Sequence, residues 1–163
     1  MAGFCANEYG CLGTLTVDGF SLNTPAWDMY GFQPLWSEVA LRGDEVILPT
    51  APGVRSYPSR LDQIDFEMTL YVNGEVDANG VEYPDYWMGL YTNLRTLRAN
   101  AFGPVTTGRG TRAAVLTLPD GLTTMTADIK FDTLREVNEI ETPSFAVFRT
   151  TLTIPAGEFV EVP

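Results

Sequence analysis

The stretch DQIDFEMTLYVN, Asp62 to Asn73, alternates apolar and polar residues from Ile64 onward. Ile64, Phe66, Met68, Leu70 and Val72 interleave with Asp65, Glu67, Thr69 and Tyr71. A period of two places the whole apolar set on one face of a β-strand and leaves the other face polar. At roughly twelve residues the strand is longer than the usual five or six. Such length suits a sheet that extends beyond one domain's own core.

The chain downstream first turns polar. Glu75-Val76-Asp77-Ala78-Asn79-Gly80 offers oxygen ligands at alternate positions before a glycine, as a calcium loop does. Its twelfth position is Tyr86 rather than glutamate, and a strand rather than a helix precedes it. The favoured reading is a polar turn. Pro84 to Asn100 then carries Trp87, Leu90, Tyr91, Leu94 and Leu97 at helical spacing. Glu82 and Asp85 stand at its start and Arg95 and Arg98 near its end, in keeping with the helix dipole. Trp87 is expected in the core, and Gly89 is expected to permit close packing on the sheet. Beyond the helix, Ala114–Leu118 and Leu122–Phe131 flank the turn Pro119-Asp120-Gly121. Phe145 to Ile154 is a last strand, with Ala146, Phe148, Leu152 and Ile154 inward.

Upstream, LGTLTV and FSLN flank Asp18-Gly19, a strong hairpin signal. Trp27 and Trp36 follow in a proline-bearing loop, as core or interface anchors. The segment SEVALRGDEVILPTAPGVRSYPSR, Ser37 to Arg60, holds short β runs at Val39–Leu41 and Val46–Leu48 around a polar turn. Pro49, Pro52, Gly53 and Pro58 then exclude regular structure. Long ordered loops of this kind usually carry function. The whole excursion runs from about residue 24 to 61, in a single domain spanning 1–163 with no internal repeat. The fold expected is mainly β, a sandwich or split barrel packed by one helix.

Composition narrows the function. The charge balance is 10 Lys+Arg against 21 Asp+Glu, a formal charge of −11, and Lys130 is the sole lysine. Such a field opposes wrapping nucleic acid or docking on anionic lipid. It keeps a concentrated protein soluble, and it suits a channel through which DNA passes without sticking. Histidine is absent, which removes the commonest general acid/base and metal ligand. Cys5 and Cys11 could close a small disulfide loop or stay as two thiols, and thiols are the favoured reading, since MAGFCANEYG is no signal peptide and nothing points to secretion. No nucleophile–base pair, nucleotide loop or metal set stands out, so no enzyme, cofactor or metal is expected. Arg42-Gly43-Asp44 matches an adhesion tripeptide, but glycine and aspartate are ordinary turn residues there. The pairs Asp65/Glu67 and Glu139/Glu141 read as solvated strand faces rather than hydrolytic carboxylates. Gly108-Arg109-Gly110 reads as a connecting loop, with Arg109 and Arg112 either solvated or facing acids of a neighbouring copy. Trp36, Arg42, Arg55, Tyr57 and Arg60 fall within one segment and have interface composition.

These residues resemble a known family, the distal tail proteins (minor tail proteins) of long-tailed phages of actinobacteria. The likeness runs from about Gly13 to Pro155. It is carried by LNTPAWDM, by ALRGDEVILPTAPGVRSYPSR with Arg42, Gly43, Pro49, Gly53, Arg55 and Pro58, by VNGEVDANG, by WMGLYTNLRTLR and by TLTIPAGEF. The resemblance implies a tail-tube-like β-sandwich with one helix. It implies a hexameric ring at the tail tip, joining the tail tube to the baseplate hub, with DNA as passing cargo. The protein would be assembled in the bacterial cytoplasm and reside in the virion tail. Arg42, Arg55, Tyr57, Arg60 and Trp36 would then carry subunit contacts, and Asp65 and Glu67 would line the channel. Many relatives carry a further carbohydrate-binding or adaptor domain that this sequence does not show. Other readings are a tail-tube subunit or tail terminator of the same fold, and a carbohydrate-binding β-sandwich module.

Overall fold

Period-two patterning and two-residue turns build most of the molecule. The computed structural model describes residues 13–30, 41–42, 45–47, 54–56, 60–61, 64–104, 110–118, 121–137, 142–156 and 158–163. It is mainly β, a nearly closed barrel-like sheet with one helix. The first hairpin joins β1 (Thr14–Val17) to β2 (Phe20–Ser21). Asp18 and Gly19 have φ of 50° and 80°. Two positive φ angles define the type I′ turn that matches strand twist, which is why Asp-Gly stands there. Asp18 also ties the hairpin tip to its neighbour strand. Its carboxylate accepts from the Ala113 N–H at 3.0 Å and from Arg112 Nη1 at 2.9 Å. Arg112, left open as a contact to another copy, is thus paired within its own chain.

After β3 (Asn23–Thr24) and β4 (Trp27–Tyr30) come four short strands: β5 (Leu41–Arg42), β6 (Glu45–Ile47), β7 (Val54–Ser56) and β8 (Arg60–Leu61). The long strand β9 covers Ile64–Asn73, and helix α1 covers Tyr86–Leu97, continuing as a π-helical turn over Arg98–Phe102. Then follow β10 (Arg112–Thr117), β11 (Thr124–Phe131), β12 (Arg135–Glu136), β13 (Phe145–Ile154) and β14 (Val160–Glu161). The sheet runs β2-β1-β10-β11-β13-β9-β4-β3, with β12 beside β13 and β14 beside β11. β11 joins the halves. Its residues 124–129 pair with β10, and its last two, Lys130 and Phe131, pair with Thr153 and Leu152 of β13. At the other end of the path the Leu15 N–H donates to Asn23 Oδ1 at 2.9 Å and the Leu22 N–H to Leu15 O at 2.8 Å. These bonds draw β1 and β3 together.

The core follows the pleat. Phe66, Met68, Leu70 and Val72 of β9 stand opposite Leu152, Thr150, Phe148 and Ala146 of β13, all buried. Leu15 and Val17 meet Leu116 and Ala114 across the first ladder. Thr150 is the polar exception, and its Oγ1 donates to Asp132 O at 2.8 Å. Trp27 is a core anchor, 3% exposed, stacked on Phe20 and donating from Nε1 to Ser21 O at 3.0 Å.

Helix α1 starts where Asp85 caps it, accepting from the N–H groups of Trp87 and Met88. Its buried face is Gly89, Leu90, Asn93 and Leu97. Gly89 is required by close approach: a Cβ there would overlap Gly74 O and stand 2.5 Å from Tyr83 Cδ2. The expectation of a core Trp87 is corrected. Trp87 is 53% exposed, because the inward stripe of the helix runs through Gly89, Leu90, Asn93 and Leu97 and leaves position 87 off it. Asn93 is the polar member of that stripe. Its Nδ2 donates to Asn73 O at 2.6 Å and Val76 O at 2.9 Å, and its Oδ1 accepts from Tyr83 Oη at 3.1 Å.

Candidate assembly surface

Three surfaces stand out, and the first is the excursion. Its short strands do not pair as the sequence suggests. β5 and β6 lie on either side of Gly43-Asp44 yet do not pair with each other. β5 pairs with β8, and β6 with β7. The register pairs Tyr30↔Thr69, Leu41↔Leu61, Arg42↔Arg60, Glu45↔Ser56 and Ile47↔Val54 are nested one inside the next. The proline-rich half therefore contributes strands, correcting the expectation that regular structure is excluded there. Prolines interrupt a ladder only at their own positions, and Val54–Ser56 and Arg60–Leu61 lie between and beyond them. Arg42 and Arg60 become register partners, and Arg55 pairs with Val46. Trp36 and Tyr57 lie outside the described residues, as do Cys5, Cys11, Arg109, Glu139 and Glu141. Among the described residues neither short ladder packs extensively on the barrel.

The second surface is the outer face of β9 and β13. Asp65 and Glu67 are both exposed there. Asp65 Oδ1 accepts from Thr153 Oγ1 at 2.6 Å, and Glu67 stands 3.5 Å from Arg149 Nε. Neither arrangement pairs the two carboxylates for hydrolysis. Beside them Asp132 accepts from the Thr133 N–H at 2.8 Å and pairs with Arg135 at 3.3 Å. Those hydrogen bonds from Thr133, helped by Arg135, hold the Asp132 carboxyl below its usual range. Toward the other end of the strands, Tyr71 and Phe145 are exposed and edge a groove shared with Pro25, Asp28 and Glu75. The groove lining contains acids but no Lys or Arg.

The third surface is the outward side of α1. Trp87, Met88 and Tyr91 are 53%, 59% and 62% exposed, and Arg95 and Arg98 continue the exposed face. From Tyr86 to Phe102 the only charged residues are these two arginines. Trp, Tyr, Met and Arg are the residues enriched at protein interfaces. The helical spacing that suggested a core stripe holds part of this face, which is why sequence reasoning assigned Trp87 and Tyr91 to the wrong side.

The acidic loop between β9 and α1 is a turn built on Asp77. Its Oδ1 accepts from the Asn79 N–H at 2.8 Å and the Val81 N–H at 2.9 Å. Tyr83 at its end has its phenol pKa raised, by burial first and by the Asp77 carboxylate second. Tyr86 Oη donates to Glu82 Oε1 at 2.6 Å, and that bond holds the phenolic proton and raises its pKa. Among the described residues no cluster of three Cys, Asp or Glu side chains is arranged to hold a metal. Among the described residues no helix is long and apolar enough to cross a membrane. No protein-family model matches the chain, and no curated protein matches it as a relative, so its function is argued from the surfaces above.

Proposed function

We propose that the chain is a structural subunit that assembles with copies of itself into a ring, acting at the distal end of a long phage tail between tail tube and baseplate hub. The observation that carries this reading is the nested excursion. A two-stranded ribbon on its own is marginal in water. One that adds only two and three register pairs beyond a barrel gains stability by lying against a second surface. The ribbon bears Arg42, Arg55 and Arg60 on a chain of net charge −11. A neighbouring copy supplies acids in excess for such arginines. The barrel of β-strands with one packed helix has the form that the resemblance to distal tail proteins implies. In this reading the partners are the chain itself, the tail tube protein and the hub, DNA is cargo, and no catalytic step or cofactor is involved. Asp65 and Glu67, exposed on the β9 face, are the proposed channel-lining acids.

Light scattering followed by negative-stain microscopy tests the reading. Closed rings of about six copies are expected from a heterologous contact whose rotation closes. Open tubes assign the chain to a tail-tube subunit instead. Replacing Arg55 and Arg60 by alanine is expected to weaken assembly, more so at low salt where charge pairs matter most. Assembly unchanged across salt concentrations in that variant removes the arginines from the contact. The carbohydrate-module alternative needs exposed tryptophans on a flat face, and Trp27 is buried.

A further inference from the structure

Helix α1 and the turn leading into it, residues 74–104, are described throughout. Met88, Tyr91, Arg95 and Arg98 follow one another at intervals of three, four and three residues, all exposed, with exposed Trp87 beside them. That spacing makes one straight stripe on a helix, the pattern of a helix–helix seam. Charge divides along it. Glu82 and Asp85, both exposed, stand at its start, Trp87, Met88 and Tyr91 in its middle, and Arg95 and Arg98 at its end. Turned end for end, the stripe is complementary to itself.

We propose that this stripe pairs with the same stripe of a second copy of the chain, the two helices antiparallel about a two-fold axis. Charge complementarity selects that occupant and that direction. Parallel helices set arginine against arginine and acid against acid, which repels. Antiparallel helices with Met88 of one copy against Tyr91 of the other bring opposite charges into register. Arg95 lies four residues beyond Tyr91 and Pro84 four before Met88, so each Arg95 meets Pro84 and Asp85 of the other copy. Arg98, one step further, faces Glu82. The two macrodipoles also run in opposition. Such a contact is isologous and closes at two copies. Trp87, Met88 and Tyr91 offer on the order of 300 Å² per copy, against about 800 Å² per partner in a standard interface, so the pair belongs to the weak, transient class. It is separate from the ring contact through Arg42, Arg55 and Arg60 and does not rest on it.

Full-length chains are compared by mass in solution from about micromolar to about millimolar concentration, with far-UV circular dichroism as the check on folding. The unaltered chain is expected to form even-numbered species, and losing a two-fold contact halves the mass of the largest one, whatever ring it contains. Arg95→Glu with Arg98→Glu sets acid against acid and is expected to weaken pairing at least about tenfold. Trp87→Ala with Tyr91→Ala removes apolar contact, leaves every charge in place and is expected to do the same. Adding Glu82→Arg to the arginine variant restores opposite charges across the contact and is expected to recover pairing. Rings whose mass neither variant halves, or a reversed chain that Glu82→Arg does not recover, overturn the helix pair and leave the ring standing. An unaltered chain that stays monomeric up to about millimolar concentration overturns pair and ring alike.

Discussion

Asn93 shows what one buried polar side chain does here. It is 2% exposed and holds two carbonyls, Asn73 O and Val76 O, at the point where strand β9 gives way to the Asp77 turn. Asn93→Ala leaves both acceptors and the Tyr83 hydroxyl without that partner. It is expected to cost about 1–3 kcal/mol in urea unfolding, the penalty for stranding buried polar groups. Nothing in the sequence marked Asn93, because a polar residue at helical spacing between Leu90 and Leu97 reads as a gap in the apolar stripe. Gly89 was legible, since an interior glycine costs helix stability unless something approaches it closely. Gly89→Ala is expected to lower the urea midpoint, because the added Cβ meets the Gly74 carbonyl and the Tyr83 ring and outweighs the gain in helix propensity. Two groups set pH dependence in opposite directions. Tyr83 has a raised phenol pKa in the folded chain. Its contribution is present below the unfolded value of about 10 and is lost as pH rises through the folded value. A Tyr83→Phe chain is expected to lose stability less steeply above about pH 10. Asp132 has a lowered pKa, so its contribution is present above the unfolded carboxyl value and is lost as pH falls through the folded one. Acid unfolding of Asp132→Asn is expected to show a shallower slope in that window.

Among the elements, strands were more legible than the helix face or the excursion. The β9 and β13 patterns place their inward residues as the alternation requires, because a strand's period is two and any error would flip every side chain. Helix α1 lies within the expected Pro84–Asn100, yet its buried stripe runs through Gly89, Leu90, Asn93 and Leu97 rather than through Trp87 and Tyr91. Two aromatic residues on an exposed face look like core to a periodicity argument, since both kinds of burial, in a core or by a partner, select the same residue types. The excursion was recognised as a candidate functional segment, but its pairing was hidden. Pairing partners up to twenty positions apart, as in Leu41↔Leu61, leave no local signature. Among the described residues its short ladders make no extensive contact with the barrel, and a shortened chain tests that independence. Excising residues 45–56 and closing β5 to β8 with a glycine-containing linker is expected to shift the melting temperature by only about 2–4 °C. The same excision is expected to abolish ring assembly, as read by light scattering.

At the scale of the whole molecule the acidic balance, the lack of histidine and the nearly closed sheet act together. A closed sheet leaves few edges for nonspecific strand addition, and a net charge of −11 keeps copies apart in dilute solution. Association then depends on the few places where basic or aromatic groups break the acidic surface. Self-repulsion among such chains is screened by salt, whereas apolar contact is not. If the contact between copies is mainly apolar, moderate salt is expected to strengthen assembly of the unaltered chain by easing overall repulsion, and sedimentation velocity across a salt series checks this. Composition revealed the charge and excluded histidine chemistry, but it does not reveal on which side of a sheet a charge lies. That depends on the register between β9 and β13, which is a property of the folded pair.

The nested pairing of the excursion also bears on how such a chain changes over generations. Nested pairs such as β5–β8 and β6–β7 can be lengthened or trimmed in matched pairs of residues while β4 and β9 stay put. Each matched pair changes the reach by about 3.3 Å and turns every later side chain to the other face, so two pairs restore the original facing. If the ribbon carries the proposed contact between copies, their spacing would drift in discrete steps of roughly 7 Å, with the barrel as an unchanging chassis.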